Sequence, residues 1–304
     1  MATVLIGGGS GLVGSRLSQL LTEKGYTVWH LSRSPGKDDP YRTFAWDTKK
    51  GYIDQSAVEG ADYVVNLAGA GIADKRWTDK RKQLIIDSRV ETTQLLQRAI
   101  QSTTNAPRAY ISASAAGYYG DRDDQILSET DPPGDGFLSA SCIAWEKAAA
   151  AVSGPDLRNV IIRIGIVLTT EGGALPKMTM PVNFFAGVYF GNGRQWMPWI
   201  HINDLCRVFI YAIEQDKMAG IYNGVGPNPE RNRDFIDSVA EARNKPVVML
   251  PAPAFVLKLA LGEMSHALLD STRASAEKLA GAGFSFEFPK LREALLDLYG
   301  KRGS

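Results

Sequence analysis

The sequence predicts an α/β protein built on a doubly wound parallel sheet, with a smaller second domain on its C-terminal side. Three observations carry this. The apolar run Val4-Leu5-Ile6 leads straight into a glycine-rich turn, Gly7 to Gly14, and then into a helical pattern. Short β-rich runs alternate with helical stretches as far as about residue 168, the arrangement of strands covered on both faces by helices. Finally, the chain has 304 residues with 44% hydrophobic content, enough for a large core.

In order, the first strand ends at Gly7, and helix Ser15 to Lys24 is followed by strand Tyr26 to Leu31. Thr43 to Trp46 reads as a third strand. Ala61 to Gly69 reads as a buried strand closed by small residues, which permit close approach of a ligand. Helix Asp79 to Ser102, strand Ala109 to Ser114, helix Leu138 to Val152 and strand Asn159 to Leu168 complete the alternation. Glu171 to Trp199, rich in Gly, Pro, Met and aromatics, reads as an excursion. Regular structure resumes at Trp199 to Asp204, where Asn203 or Asp204 suits the cap of helix Leu205 to Glu214, and strand Gly220 to Val225 completes the sheet. From Arg231 the chain reads as helices with a link at Pro251-Ala-Pro253. The expected division is 1–170 plus 200–230 for the sheet domain and 171–199 plus 231–304 for the smaller one.

The glycine spacing Gly8-x-x-Gly11-x-x-Gly14 between strand and helix is a dinucleotide fingerprint of the Rossmann kind. The turn brings backbone close to a pyrophosphate, and the free N–H groups of the helix start hold it. Gly8, Ser10, Gly11, Leu12, Val13 and Gly14 are therefore the expected phosphate cradle, with Gly14 letting the helix lie close to the sheet. The second strand ends His30-Leu31-Ser32-Arg33-Ser34, with no acid before Asp38 to grip a ribose diol. Ser32 and Arg33 suit a 2′-phosphate, so the expected cofactor is NADP.

Formal net charge is +1, which points to neither nucleic acid nor an acidic membrane surface. No apolar run is long enough to span a bilayer, and the first strand follows Met1 too closely for a signal peptide, so a cytoplasmic monomer or homodimer is expected. Cys142 and Cys206 show neither disulfide nor metal spacing and read as core residues. No metal site is expected.

The glycine motif, Asn66-Leu-Ala-Gly69, Ser112-Ala-Ser114-Ala-Ala-Gly-Tyr118-Tyr119-Gly120, Trp145-Glu146 and Trp199-Ile-His201-Ile-Asn-Asp204 together resemble the extended short-chain dehydrogenase/reductase superfamily. Trp46-Asp47, Arg76-Trp77-Thr78, Ser88-Arg89-x-x-Thr92, Gly191-x-Gly193-x-Gln195 and Gly283-Phe284-x-Phe286 are similar to its YfcH-like (SDR39U) epimerase-family branch, across nearly the whole chain. The resemblance implies an NADP-binding Rossmann domain with a small C-terminal substrate domain of unknown role. It further implies that Leu67, Ala68, Gly69 and Arg89 line the cofactor beside Ser32 and Arg33. Fold analogy does not establish a reaction.

Members of the superfamily usually move a proton through a Tyr activated by a Lys four residues later, helped by a Ser. No tyrosine here has Lys at that spacing, and the helix Leu138 to Val152 has no tyrosine. Ser114 and Tyr118 are the remaining candidate catalytic hydroxyls, with Tyr119 beside them and Arg122 or Lys147 as the cation that would lower a phenol pKa. Ser88 stands where an asparagine often organises the site. His201 in its apolar setting reads as a structural histidine, and Asp204 as a helix cap. Trp77, Trp196, Trp199, Met178, Met180, Phe184 and Phe185 offer an apolar pocket, with Lys177, Arg194 and Gln195 as polar handles. Two functions are expected: an NADP-dependent oxidoreductase or epimerase acting on a small or nucleotide-linked substrate, or an NADP-binding regulator with little catalysis.

Overall fold

The computed structural model describes residues 1–36 and 38–300, so the last four residues of the expected 231–304 segment lie outside it. The first half of the chain runs β1 (Thr3–Gly7), α1 (Leu12–Glu23), β2 (Thr27–Ser32), β3 (Arg42–Asp47), β4 (Tyr52–Ile53), α2 (Gln55–Glu59), β5 (Tyr63–Asn66), α3 (Asp79–Ser102) and β6 (Ala109–Ala115). A 3₁₀ turn at Ala116–Tyr119 leads to β7 (Ile126–Leu127), α4 (Gly136–Ala150), β8 (Arg158–Ile164), β9 (Ile166–Leu168), α5 (Ala174–Thr179) and β10 (Ala186–Phe190). Then come β11 (Trp196–Met197), β12 (Trp199–His201), α6 (Ile202–Glu214), β13 (Gly220–Gly224), β14 (Glu230–Arg231) and α7 (Asn232–Ala242). The C-terminal part is β15 (Val248–Ala252), α8 (Ala254–Leu261), α9 (His266–Leu269), β16 (Arg273–Ala274), α10 (Glu277–Gly281) and α11 (Leu291–Tyr299).

Eight strands form one sheet in the order β13-β8-β6-β5-β1-β2-β3-β4. Every neighbouring pair is parallel except β3 with β4. Strand order reverses between β1 and β5, where Val4 lies opposite both Val28 and Tyr63. Such a reversal opens a crevice at the carboxyl ends of the strands, and ligands bind there. Because both sheet faces are covered, the central strands are apolar on both sides. Leu17 and Leu21 of α1 pack with Leu205 and Phe209 of α6 on one face, and Leu95, Leu96 and Ile100 of α3 pack on the other. A separate core gathers Met178, Val182, Trp199, Phe235, Ile236, Leu291 and Leu295 beyond the sheet. Among the described residues no helix is long and apolar enough to cross a membrane.

Three expectations are corrected. The strand predicted over Asn159 to Leu168 divides at Gly165, whose N–H donates to the Gly224 carbonyl while Ile166 N–H donates to that of Pro198. A Cβ at Gly165 would sit 2.2 Å from the Pro198 oxygen, so only glycine lets the chain leave the sheet and pair with β12. The region after Arg231 is not purely helical. β15 pairs in parallel with β10, and Pro251 lies inside it rather than in a link. Strands this short, exposed and partnered from elsewhere in the chain leave little periodic signal. Helix α6 starts at Ile202 and is capped by the His201 ring, whose Nδ1 accepts from Asn203 N–H. Asp204 points elsewhere: its carboxylate accepts from the backbone N–H groups of Glu287 and Phe288 and from Arg207.

Candidate functional site

The turn between β1 and α1 is built glycine by glycine. Gly8 has φ +83°, and a Cβ there would lie 2.9 Å from the Leu67 carbonyl carbon, so the turn nests against the end of β5. At Gly14 a Cβ would meet the Gly8 oxygen at 2.3 Å, which makes it the contact between α1 and the turn. Gly11 differs. Its φ is ordinary, and a Cβ would meet only the Gly8 oxygen, at 3.3 Å, so the space beyond it is open. Gly11 caps α1 with no side-chain hydrogen bond, and the first intrahelical bond is from Ser15 N–H to its carbonyl. The N–H groups of Leu12, Val13 and Gly14 therefore face the crevice with the positive helix end behind them. Ser10 and Gly11 are exposed, Leu12 and Val13 half-buried.

Across the crevice, fully buried Asn66 sets the turn after β5. Its amide nitrogen donates to Thr93 and Tyr110, and its oxygen accepts from Ala68 N–H. Arg89 of α3 lies against Gly69, donates to the carbonyls of Ala70 and Ile85, and stacks 4.9 Å from the Trp145 ring centroid. Burial pushes its pKa down, and it has no carboxylate within ion-pair distance among the described residues. A half-buried cation without an anion is a fit for a negatively charged ligand. At the end of β2, Ser32 is half-buried and accepts from Ser34 N–H, while Arg33 is exposed and carries no described ion pair. Thus Gly8 packs on Leu67 and Ala68, and Gly69 on Arg89, at the ends of β1 and β5, with Ser32 and Arg33 at the end of neighbouring β2, and the backbone N–H groups and the Arg89 cation are of a kind that suits a phosphate.

Ser114 and Tyr118 are placed differently. Ser114, 2% exposed at the end of β6, donates to Glu146 at 2.7 Å. Glu146 holds Arg163 through two bonds of 2.8 and 2.9 Å; Arg163 donates to the Tyr119 hydroxyl, which donates to Asn223. The Tyr118 ring covers the same guanidinium, 3.5 Å from its centroid. The cation beside the tyrosines is therefore Arg163. Lys147 is exposed, and Arg122 is spent on the carbonyls of Tyr119, Pro132 and Pro133. Burial pushes the Tyr119 phenol up to about 12 despite Arg163, the reverse of an activated acid. Sequence reasoning overlooked Arg163, although a charged residue inside Val160-Ile-Ile-Arg163-Ile is a signal for a buried partner.

Beside the crevice, over the carboxyl ends of β6 and β8, lies a cavity of about 210 Å³. Ala115, Gly117, Ile164, Ile166, Met178 and Trp196 contribute to its walls, and His266 and Asp270 bring in the C-terminal part of the chain. Neither Ser114 nor Tyr118 lines it. Of the residues expected to form an apolar pocket, Trp199 is core, and Met180, Phe184 and Phe185 are exposed. Gln195 is buried and donates to the carbonyls of Phe190 and Leu268.

The model of the NAD dependent epimerase/dehydratase family matches residues 4–224, and a domain of unknown function, DUF1731, matches 252–298. The chain belongs to the epimerase family. Epimerase family protein SDR39U1 of Mus musculus is 35% identical over 299 residues, covering 97% of this chain and 99% of that one. Epimerase family protein YfhF of Bacillus subtilis is 36% identical over 97% of both. The crystal structure of human epimerase family protein SDR39U1 (isoform 2) with NADPH superimposes with a TM-score of 0.89 at 32% identity, over 98% of this chain and 99% of that one. The doubly wound fold and the C-terminal domain are thus those of the epimerase family.

Proposed function

We propose that the protein binds NADP(H) and acts as a short-chain oxidoreductase or epimerase on a small substrate held in the cavity over β6 and β8. The observation that carries this is the crevice itself. Open Gly11, the unpaired N–H groups of α1 and the cation of Arg89 converge where the strand order reverses, and Ser32 with Arg33 present donors without an acid at the end of β2. That the human relative was crystallised with NADPH supports the same cofactor. When bound, the cofactor supplies or takes up a hydride at its nicotinamide ring. The apolar cavity beside the crevice favours an enzyme over the regulatory alternative.

In this reading Gly8, Ser10, Gly11, Leu12, Val13 and Gly14 hold the pyrophosphate, Ser32 and Arg33 the 2′-phosphate, and Leu67, Ala68, Gly69 and Arg89 the central part of the cofactor. Ser114 and Tyr118 stand behind the cavity, next in the chain to its lining residues Ala115 and Gly117: Ser114 donates to Glu146, and Tyr118 covers the Arg163 guanidinium. Residues 1–170 with 200–230 form the cofactor part, and 171–199 with 231–304 the substrate part. Calorimetric titration tests the cofactor assignment. Arg33→Ala should weaken NADPH by roughly 1.5–3 kcal/mol, the range for a charge-assisted hydrogen bond, and leave NADH nearly unchanged. Equal losses for the two cofactors would overturn it.

A further inference from the structure

We propose that His266 and Asp270, from the C-terminal domain of unknown function, are the proton-transfer pair of the cavity and serve an uncharged carbonyl compound or its secondary alcohol. The proposal rests on the NADP(H) reading above. It starts from elimination within the cavity. Thr272 donates to the Gly120 carbonyl, and Trp196 Nε1 to Asp124. The remaining side chains of the lining able to exchange a proton are His266 and Asp270. They are already paired, His266 Nδ1 lying 2.9 Å from Asp270 Oδ1, one helical turn apart. That bond fixes the ring and leaves Nε2 with no protein partner among the described residues.

Placement supports the role. Both residues also line a second cavity of about 340 Å³, with Trp77, Asp121, Arg122 and Glu263 among its walls, so the pair stands at the junction of an apolar chamber and a polar one. The segment is tied down at two points on its C-terminal side, while the His266 side chain itself stays 57% exposed at the cavity mouth. Ser271 N–H donates to Asp121, and Gln195, from the Gly191-x-Gly193-x-Gln195 motif, donates to the Leu268 carbonyl. Charged groups facing the pair are Asp121, Asp135, Glu263 and Arg122, with Lys82 paired to Glu263. Desolvation by burial raises the Asp270 pKa, opposed by His266.

The substrate class follows from the walls. Among the described residues no lysine or arginine lines the apolar chamber, and Arg122 next door is occupied by three carbonyls among acids. A diphosphate would find no free cation there. A neutral ketone or aldehyde suits the chamber. In the reductive direction the hydride given up as NADPH becomes NADP⁺ adds to the carbonyl carbon. The C=O π pair moves to oxygen, which takes the proton from Nε2 of the His266 imidazolium; Asp270 stabilises that cation, and a solvent proton (H⁺) taken up through the second cavity returns the imidazole to imidazolium, so that one H⁺ is consumed per turnover.

The test uses the full chain labelled with ¹⁵N-histidine, whose three resonance sets are assigned by single substitutions. In the wild type the neutral His266 ring should be the Nδ1–H tautomer, and Asp270→Ala should shift it toward Nε2–H. Cyclohexanone added with NADP⁺ should move the His266 Nε2 resonance and leave His30 and His201 in place. With NADPH and 4-nitrobenzaldehyde, His266→Gln should lower kcat by about 10²-fold, with NADPH affinity and KM nearly unchanged; Asp270→Asn should show a smaller loss. A protein that binds NADPH but leaves His266 unmoved by the ketone overturns the pair, and a response to UDP-glucose in place of the ketone overturns the substrate class. Loss of NADPH binding itself would strike the reading beneath it.

Discussion

Gly11 and Gly14 look alike in the sequence, and the structure gives them opposite duties. Gly14 has backbone against it on the inside, so Gly14→Ala must push the Gly8 oxygen from 2.3 Å and should cost about 1–3 kcal/mol of stability by urea denaturation. Gly11 has an ordinary φ and free space beyond it, so Gly11→Val should still fold, losing about 1 kcal/mol as a poorer N-cap of α1, and yet lose NADPH and NADH alike. Retained NADPH affinity in folded Gly11→Val would place the phosphates elsewhere. The glycine turn was legible because a strand-to-helix turn this tight demands glycine at fixed spacing, at Gly8 for its positive φ and at Gly14 for the close approach of backbone. The Ser114-Glu146-Arg163-Tyr119-Asn223 chain was not, since its members come from β6, α4, β8, the 3₁₀ turn and β13, and no local pattern announces that they meet.

Buried histidines on the elements around the glycine turn should make folding stability depend on pH. His30 of β2 sits beneath Gly9, where a Cβ would meet its ring at 2.4 Å, and its Nε2 lies 2.8 Å from the Ser18 hydroxyl of α1. Ser18 already donates to the Gly14 carbonyl, so His30 is the donor to Ser18 through Nε2–H. Burial holds its pKa below the ordinary 6.5, opposed by Asp39; burial lowers that of His201 as well, opposed chiefly by Asp297. Below 6.5 the unfolded chain then binds more protons than the folded one, so stability should fall as pH drops from 6.5 toward the lower folded values and level off beneath them. Urea denaturation at pH 7.5 and 5.5 should show the loss, and His30→Gln should reduce it. A flat or inverted dependence would contradict the buried neutral rings. Helix α3 was read to the residue and β1, β2, β3 and β6 to within about one, because their apolar patterns run for several residues, whereas β5 ends at Asn66 rather than Gly69 and the two-residue β4 was not read at all. β9, β14 and β16 have two or three residues each, and their partners decide them, not their sequences.

At the scale of the molecule, the C-terminal domain matters because it closes a cavity that the sheet alone leaves open, and a few polar contacts hold it there. Asp204 on α6 is one of them. Fully buried, it accepts from the N–H groups of Glu287 at 2.8 Å and Phe288 at 2.9 Å, eighty residues further along the chain. Neighbouring Phe288 stacks on His201, with ring centroids 4.0 Å apart, and His201 in turn caps α6. Asp204→Ala leaves two donors short of a partner and should cost about 2–4 kcal/mol, while Asp204→Asn, which keeps an acceptor, should cost less. The proposed cofactor crevice lies at β1, β2 and β5, away from this latch. Asp204→Ala should therefore retain NADPH affinity while amide exchange quickens at Glu287, Phe288 and through His266 to Asp270, and while binding of the ketone probe weakens. Uniform loss of exchange protection across β1, β5 and the C-terminal helices together would show instead that the chain unfolds as one unit and that the latch has no separate role.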